Sequence, residues 1–257
     1  MTSDLKEPYV KAESEHGITT IEFFHPQGNS LPRRLLDELA HEIHYAGTHN
    51  TRVIILKSAG EKSFCGGASF DELEAIRNEA EGVKFFMGFA NVINAMRKCN
   101  KLIIGRIHGK CVGGGVGIAA AVDYAIAVKP VEIKLSELAL GIGPFVVGPA
   151  VSRKIGTSAF SQLAIDATLW RNSDWAKKKG LFAEVHETVE NMDDSIERLA
   201  NSLAHYSPEA MAEMKRMFWQ GTENWDSLLS ERAAISGRLV MSDFTKKAIS
   251  DFRQKAK

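Results

Sequence analysis

A stretch of closely spaced glycines, residues 108–117, stands at the centre of the sequence and reads HGKCVGGGVG. It follows an apolar, β-branched run that indicates a buried strand, Leu102–Ile107, and it precedes small apolar residues, 118–121, that are typical of a helix. Glycines at such a turn let a ligand approach the backbone N–H groups, which have no carbonyl partner at a helix start. The turn therefore has the chemistry to hold a phosphate, a carboxylate or a developing oxyanion.

Two other interpretations of this turn stay open from the residues alone. The glycines can serve only the close packing of a strand against a helix. Alternatively, Gly115, Gly117 and Ala120 match a loose G-x-G-x-x-A dinucleotide fingerprint. That fingerprint requires an acidic residue about 20 positions later at the end of a second strand. Glu132 and Glu137 do not end an uninterrupted strand of this kind, which disfavours a nicotinamide-dependent dehydrogenase.

A second glycine-rich turn and a single glutamate add to the candidate site. The turn runs from Phe64 to Ser69, reads FCGGAS, and follows a buried strand over residues 52–57. Glu137 follows a short apolar strand and precedes apolar residues 138–142, so burial of its carboxyl group is plausible. Burial raises the pKa of a carboxyl group toward the working pH, as proton transfer requires. Taken alone, a glutamate at a strand end is more typical of the surface.

Composition and charge narrow the class of protein. The chain has 257 residues, 44% of them hydrophobic and 25% charged, and its 32 basic residues balance 32 acidic ones. This neutral balance argues against a nucleic acid partner. We expect no signal peptide in the N-terminal MTSDLKEPYV and no membrane span, because the longest weakly polar stretch, residues 111–122, is too short. Three scattered cysteines without a C-x-x-C pair predict a cytoplasmic protein without a metal site, and the histidines show no metal-ligand spacing.

The order of predicted elements indicates an α/β fold. An N-terminal hairpin turns at His16 and Gly17, and from residue 52 to about residue 141 strands alternate with turns and helices. This alternation is typical of βαβ units and a largely parallel sheet. Helical patterns dominate after Pro144, interrupted by one short apolar run over residues 181–185. We expect a core domain over residues 1–195 and a C-terminal helical region over residues 196–257.

Three motifs together resemble the enoyl-CoA hydratase/isomerase (crotonase) superfamily. The family's F-x-A-G-A-D corresponds to residues 64–69, its G-x-x-x-G-G-G to residues 109–115, and its P-E-x-x-x-G-x-x-P to residues 136–144. The resemblance extends over nearly the whole chain, in the family's order. It implies a spiral of ββα repeats followed by a helical region that mediates trimerisation, with a homotrimer or a dimer of trimers as the assembly.

The resemblance also implies acyl-CoA thioesters as substrates, with coenzyme A as part of the substrate and no separate cofactor. The family stabilises a thioester enolate with two backbone N–H groups, here expected to be those of Gly66 and Gly114. The first turn would line the substrate path, through Gly66, Gly67, Ala68 and Ser69. Glu137 would be the acid/base.

Basic residues of the last helical segment are weaker candidates for binding the coenzyme A phosphates. They are Lys246, Lys247 and Arg253, and a solvated helix face explains them equally well. Cys65 is expected to be a small buried residue rather than a nucleophile, because no neighbouring base would activate it. His108 is expected to make a structural hydrogen bond rather than to touch substrate.

Departures from the family pattern bear on the reaction. Family hydratases carry a second glutamate where this chain has Gly117, and a glycine where Phe145 follows Pro144. Ser69 stands where many members have aspartate, and nearby Asp71 and Glu72 fit a helix N-terminus better than a second catalytic carboxylate. One carboxylate beside a dry pocket, with Phe145 in its wall, favours an enoyl-CoA isomerase. Enoyl-CoA hydratase, decarboxylase, thioester hydrolase and a non-catalytic acyl-CoA binder remain alternatives.

Overall fold

The computed structural model describes residues 7–256, with side chains to residue 254. Residues 1–6 lie outside the described part, and they make up most of the N-terminal segment that is predicted to contain no signal peptide. Among the described residues, no helix combines the length and the apolar character that a membrane span requires.

The described residues form twelve strands and ten α-helices. The strands are β1 (Tyr9–Glu15), β2 (Ile18–Phe24), β3 (Ser30–Leu31), β4 (Val53–Ser58), β5 (Ser63–Cys65), β6 (Gly67–Ala68), β7 (Leu102–Ile107), β8 (Lys110–Val112), β9 (Tyr124–Val128), β10 (Glu132–Lys134), β11 (Arg171–Asn172) and β12 (Glu184–His186). The helices are α1 (Arg33–Thr48), α2 (Phe70–Ala75), α3 (Glu79–Lys98), α4 (Gly114–Ala121), α5 (Gly148–Ile165), α6 (Ser173–Lys178), α7 (Val189–His205), α8 (Pro208–Phe218), α9 (Trp225–Leu239) and α10 (Asp243–Ala256).

Consecutive strands are shared between two main sheets. The larger has the order β1-β2-β4-β7-β9-β12, and the smaller has the order β11-β10-β8-β5. The pair β1–β2 is antiparallel, and the other neighbours in the large sheet are parallel. Each of the successive units β4–β5, β7–β8 and β9–β10 therefore places its first strand in the large sheet and its second in the small one. The predicted α/β spiral of ββα repeats is confirmed.

The elements follow the local sequence signals, with differences at the starts of two helices. The hairpin turns at His16 and Gly17, both with positive φ, as predicted. Helix α3 begins at Glu79, earlier than the apolar periodicity indicates, because the Asn78 side chain caps a polar first turn. Helix α5 begins only at Gly148 and is kinked at Gly156, where φ is +77°. The run over residues 181–185 contributes buried side chains and the start of edge strand β12.

The boundary expected at residues 195/196 falls inside α7. This helix packs against the large sheet, with contacts to β4, β7, β9 and β12. The C-terminal helices that follow the sheets therefore begin at α8 and not at residue 196. Among them, α9 packs along α3 of the same chain. Burial between subunits is therefore not needed to cover the apolar face of α9.

A buried ion pair anchors α8 to the core. The Lys215 Nζ donates to Asp123 Oδ2 at 2.8 Å, and the two side chains are only 2% and 6% exposed. Asp123 also accepts hydrogen bonds from the Ile103 backbone and the Trp219 indole. Because both charged groups of this pair are hydrogen-bonded, the pair holds α8 against the end of the large sheet.

Candidate active site

The first glycine turn joins β5 to α2 and brings its backbone close to the second turn. Gly67 has φ of +93°, and an ideal Cβ built on it would lie 3.0 Å from the carbonyl oxygen of Val112 and 3.7 Å from the nitrogen of Gly114. Only glycine fits this left-handed backbone at such close approach. The two turns predicted to act together are therefore adjacent in space.

The second turn presents an N–H group at the start of α4. Gly113 precedes the helix with φ of +52°, and Gly114 is its first residue. The first N–H groups of a helix have no intrahelical acceptor. Within residues 7–256, no backbone acceptor outside the helix takes the Gly114 N–H, whereas the Gly113 N–H donates to Lys134. The Gly114 N–H, at the positive end of the helix dipole, is thus available to an anion.

Gly66 does not provide the second N–H group, and that expectation needs correction. Its N–H donates to the carbonyl of Asn29 at 3.0 Å. The Ser69 N–H likewise donates to Leu31, on the side of β3. Because successive N–H groups of an extended strand point to opposite sides, the N–H of Ala68 faces away from β3. Ala68 lines the same cavity as Gly114, so its N–H is the better placed partner.

Glu137 stands just before the short 3₁₀ turn Leu138–Leu140, and Leu135 and Ser136 separate it from the end of β10. The residue is half-buried, but its Oε2 is enclosed and has no hydrogen-bond partner in the described chain. Its Oε1 lies 3.0 Å from where a Cβ on Gly113 would be, so the carboxyl group contacts the second turn. Burial raises the pKa of Glu137 to about 7. The carboxyl can therefore both accept and return a proton near neutral pH.

One cavity, with an empty volume of about 670 Å³, joins these groups. Six residues that the sequence analysis assigned to the site line this cavity, namely Gly66, Gly67, Ala68, Gly114, Glu137 and Phe145. Glu137 is the one ionisable side chain in this wall among the residues the structure describes. Most of the remaining wall is apolar, and its aromatic members are Phe70, Phe85, Phe86, Phe89 and Phe145.

The position of a second carboxylate is filled by an apolar side chain. An ideal Cβ on Gly117 would lie 2.5 Å from Cγ1 and 2.7 Å from Cβ of Val147. A side chain of any size at residue 117 therefore requires Val147 to move. Val147 and Val146 are buried and line the cavity, and Phe145, which is half-buried, lines it beside them.

Several other candidate residues lie outside this cavity. Ser69 is buried, but its hydroxyl accepts from the Glu72 N–H and caps α2, so it does not line the site. Asp71 and Glu72 occupy the first turn of α2, as predicted from helix chemistry. Arg253 pairs with Asp71 and Glu74 at the surface.

The remaining basic and nucleophilic candidates are also remote from the cavity wall. Lys247 pairs with Asp251, and neither it nor Lys246 lines the cavity. Burial raises the pKa of Cys65 to about 12, which agrees with a small, unreactive buried residue. His108 does not line the cavity, and neither ring nitrogen has the predicted hydrogen bond in the described chain.

Sequence reasoning did not find the residues that α3 and α9 contribute to the wall. Phe85, Phe86 and Phe89 have the spacing of an apolar helix face, and nothing in the sequence distinguishes them from ordinary core residues. Ser236 on α9 carried no local signal, because it reaches the cavity only through the return of α9 onto α3.

Comparisons with known proteins agree with this architecture. A family model described as enoyl-CoA hydratase/isomerase matches residues 13–257. A short-chain-enoyl-CoA hydratase of Clostridium acetobutylicum is 29% identical over 252 residues, covering 96% of this chain and 95% of the relative. A peroxisomal Delta(3,5)-Delta(2,4)-dienoyl-CoA isomerase of Arabidopsis thaliana is 26% identical over 221 residues, covering 80% of this chain and 78% of the relative.

A solved structure shares the fold at lower sequence identity. The crystal structure of an enoyl-CoA hydratase from Bacillus halodurans superposes with a TM-score of 0.87 at 19% identity, covering 95% of this chain and 99% of that one. With the family model matching almost the whole chain, the protein belongs to the enoyl-CoA hydratase/isomerase family, within the crotonase superfamily.

Proposed function

We propose that this protein shifts a carbon–carbon double bond in an acyl-CoA thioester, as an enoyl-CoA isomerase. The Glu137 carboxylate would remove a proton from the α-carbon of a 3-enoyl thioester, leaving a dienolate whose charge lies largely on the thioester oxygen. Glu137 would then return the same proton to the γ-carbon, giving the conjugated 2-enoyl thioester. No atoms are gained or lost, so the reaction needs no cofactor beyond the coenzyme A of the substrate.

The observation that carries this proposal is that Glu137 is the single ionisable side chain of the cavity wall among the described residues. Hydration requires a water molecule that is positioned and activated, which family hydratases achieve with two glutamates. Here Val147 packs against Gly117, where the second glutamate would stand. A lone carboxyl with a pKa near 7 in an apolar wall suits proton transfer between two carbons of one substrate.

The oxyanion contacts proposed for this reaction are the N–H groups of Gly114 and Ala68. The Gly114 N–H has the helix dipole behind it, and the Ala68 N–H is directed away from its own sheet. Donors held by backbone need no reorientation when the charge develops, and one such donor contributes about 2.7–4 kcal/mol to the transition state. Gly66, Gly67 and Ala68 would lie along the thioester.

Enoyl-CoA hydratase is the second candidate, favoured by the name of the Clostridium acetobutylicum relative. The two reactions separate in one spectroscopic assay, because hydration removes the conjugated enoyl absorbance and isomerisation creates it. We expect absorbance to rise with a 3-enoyl-CoA and to stay constant with a 2-enoyl-CoA in water. Loss of absorbance with the 2-enoyl-CoA at a comparable rate would contradict the proposal.

Glu137→Gln tests the acid/base role in the same assay. We expect the isomerisation rate to fall by about 100-fold or more, since a positioned general base contributes about 10²–10⁴-fold. Glu231→Gln, at an exposed position on α9, is the matched control and should retain the parent rate. Full activity of Glu137→Gln would remove Glu137 from the mechanism. Tight thioester binding without turnover by the parent would favour a non-catalytic binder.

The assembly and location remain predictions. The homotrimer or dimer of trimers is supported by large apolar side chains that the single chain leaves exposed, such as Ile165, Met217 and Phe244. Light scattering on the purified protein would measure the assembly, and a monomer would contradict it. The cytoplasmic location still rests on the cysteine usage alone.

A further inference from the structure

Ser236 is a buried polar residue in the wall of the catalytic cavity. It is 1% exposed, and it lines the cavity from α9. Among the described residues, its hydroxyl has no hydrogen-bond partner, unlike the other buried helical hydroxyls, which belong to Ser173, Ser195 and Thr245. Ser236 therefore brings an unpaired hydroxyl to the cavity wall.

A close helix crossing holds Ser236 in place. The next residue, Gly237, meets Gly82 of α3 so closely that an ideal Cβ on Gly82 would lie 2.8 Å from the Gly237 Cα. An ideal Cβ on Gly237 would in turn lie 2.7 Å from the Val83 nitrogen. The backbones of α3 and α9 are thus in contact at this point. The hydroxyl is presented by a packed element and not by a mobile loop.

The surroundings of Ser236 are apolar and closed. Val240, the C-cap residue of α9 one turn after Ser236, belongs to a compact cluster whose buried members are Leu73, Phe85, Ile142, Val240 and Ile249. Three of these side chains, Leu73, Phe85 and Ile142, also line the cavity. Apart from Ser136 and Glu137, which adjoin each other, Ser236 is the one polar side chain of the described wall.

A hydroxyl enclosed by apolar groups without a partner is unfavourable, and a ligand oxygen would satisfy it. We propose, building on the proposed function, that Ser236 recognises an oxygen on the acyl group beyond the reacting carbons. The substrate class is then an acyl-CoA with a compact acyl group that carries a hydroxyl or ketone oxygen. An unsubstituted alkyl chain would leave the hydroxyl unpaired, and sites built to bond a substrate oxygen discriminate strongly against analogues that lack it.

Binding measurements test this inference separately from catalysis. The probes are pentanoyl-, hexanoyl- and heptanoyl-CoA, each paired with analogues that carry one hydroxyl or ketone on the penultimate carbon, which is carbon 4, 5 or 6 respectively. Dissociation constants would be measured by calorimetry in the Glu137→Gln background, so that turnover does not interfere. Ser236→Ala is then added to that background. Ser230→Ala, at an exposed position of the same helix, is the matched control.

We expect at least one oxygenated analogue to bind about tenfold more tightly than its parent thioester, as one well-placed hydrogen bond allows. Ser236→Ala should reduce that ratio to about twofold or less, and Ser230→Ala should leave it unchanged. Absence of any oxygen preference, or a preference that survives Ser236→Ala, would overturn the inference. Because Ser236→Ala removes an unpaired buried hydroxyl, its unfolding midpoint should not fall, which checks that the variant is folded.

The outcome is distinguishable from that of the proposed function. If the parent enzyme isomerises no enoyl thioester while the oxygen preference depends on Ser236, the reaction is wrong and the recognition stands. If unsubstituted 3-enoyl thioesters are isomerised and no analogue shows an oxygen preference, the recognition is wrong and the reaction stands.

Discussion

Replacement of Glu137 by glutamine is expected to stabilise the protein at alkaline pH. Burial raises the pKa of this carboxyl from its ordinary value of 4.5 to about 7. The folded chain therefore holds the proton more tightly than the unfolded chain does. The stability that this provides is fully present below about pH 4.5 and is lost as the pH rises through about 7. A glutamine of similar shape cannot ionise, so the free energy of unfolding of the variant does not fall in this way as the pH rises.

The magnitude follows from the two pKa values. A shift from 4.5 to about 7 corresponds to about 3 kcal/mol of stability lost once the pH is well above 7. Between pH 5 and pH 8, where unfolding of the parent and of the variant can be measured, the linkage amounts to about 2–3 kcal/mol. The free energy of unfolding of Glu137→Gln minus that of the parent should rise by this amount across the interval.

Denaturant unfolding at several pH values between 5 and 8 measures this difference. Other carboxyl groups titrate equally in the parent and the variant, so the subtraction isolates residue 137. Protein concentration must be matched, since an oligomer gains apparent stability with concentration. Glu231→Gln, at its exposed position, should show no pH-dependent difference from the parent. A constant difference between Glu137→Gln and the parent from pH 5 to pH 8 would refute the reasoning.

Three further predictions concern the site and its support. The kcat/KM for isomerisation should fall about tenfold per pH unit below about pH 7, where Glu137 is protonated, and a flat profile would contradict its role as the base. Gly117→Ala should lower the free energy of unfolding by about 1–3 kcal/mol, because its Cβ would overlap Val147, and Val147→Ala should relieve that loss in the double variant. Additive effects of the two changes would show that the residues are not in contact. Asp123→Ala should cost about 3–5 kcal/mol in urea unfolding, because it leaves the Lys215 ammonium buried without its carboxylate, and a loss below about 1 kcal/mol would contradict this account.

The glycine turns and Glu137 are recognisable from the sequence alone because their chemistry is local. A glycine at a strand-to-helix junction has a conformational meaning that a short window of sequence reveals. Glu137 was recognisable from the motif around it, and its burial beside Gly113 agrees with the expected environment. The alternation of strands and helices likewise predicted the spiral, since hydrophobic periodicity depends on neighbours in the chain.

The assignment of Gly66 as a donor failed because hydrogen bonding depends on a distant partner. Motif alignment shows which residues form the turn, but not which N–H groups the neighbouring strand already uses. Asn29 lies far earlier in the chain, and its carbonyl takes the Gly66 N–H. The same limitation applies to Ser69, whose hydroxyl could not be assigned until its position at the start of α2 was known.

Short-range patterns were thus sufficient for the elements, the two turns and the glutamate proposed as the proton carrier, because each depends on residues a few positions apart. The shape and polarity of the cavity depend on residues that meet only after folding. Val147 closes the space beside Gly117, and α9 brings Ser236 to the wall through its crossing with α3. Packing between elements remote in the chain leaves no periodic trace in either one, so only the folded chain shows which side chains surround the carboxyl group.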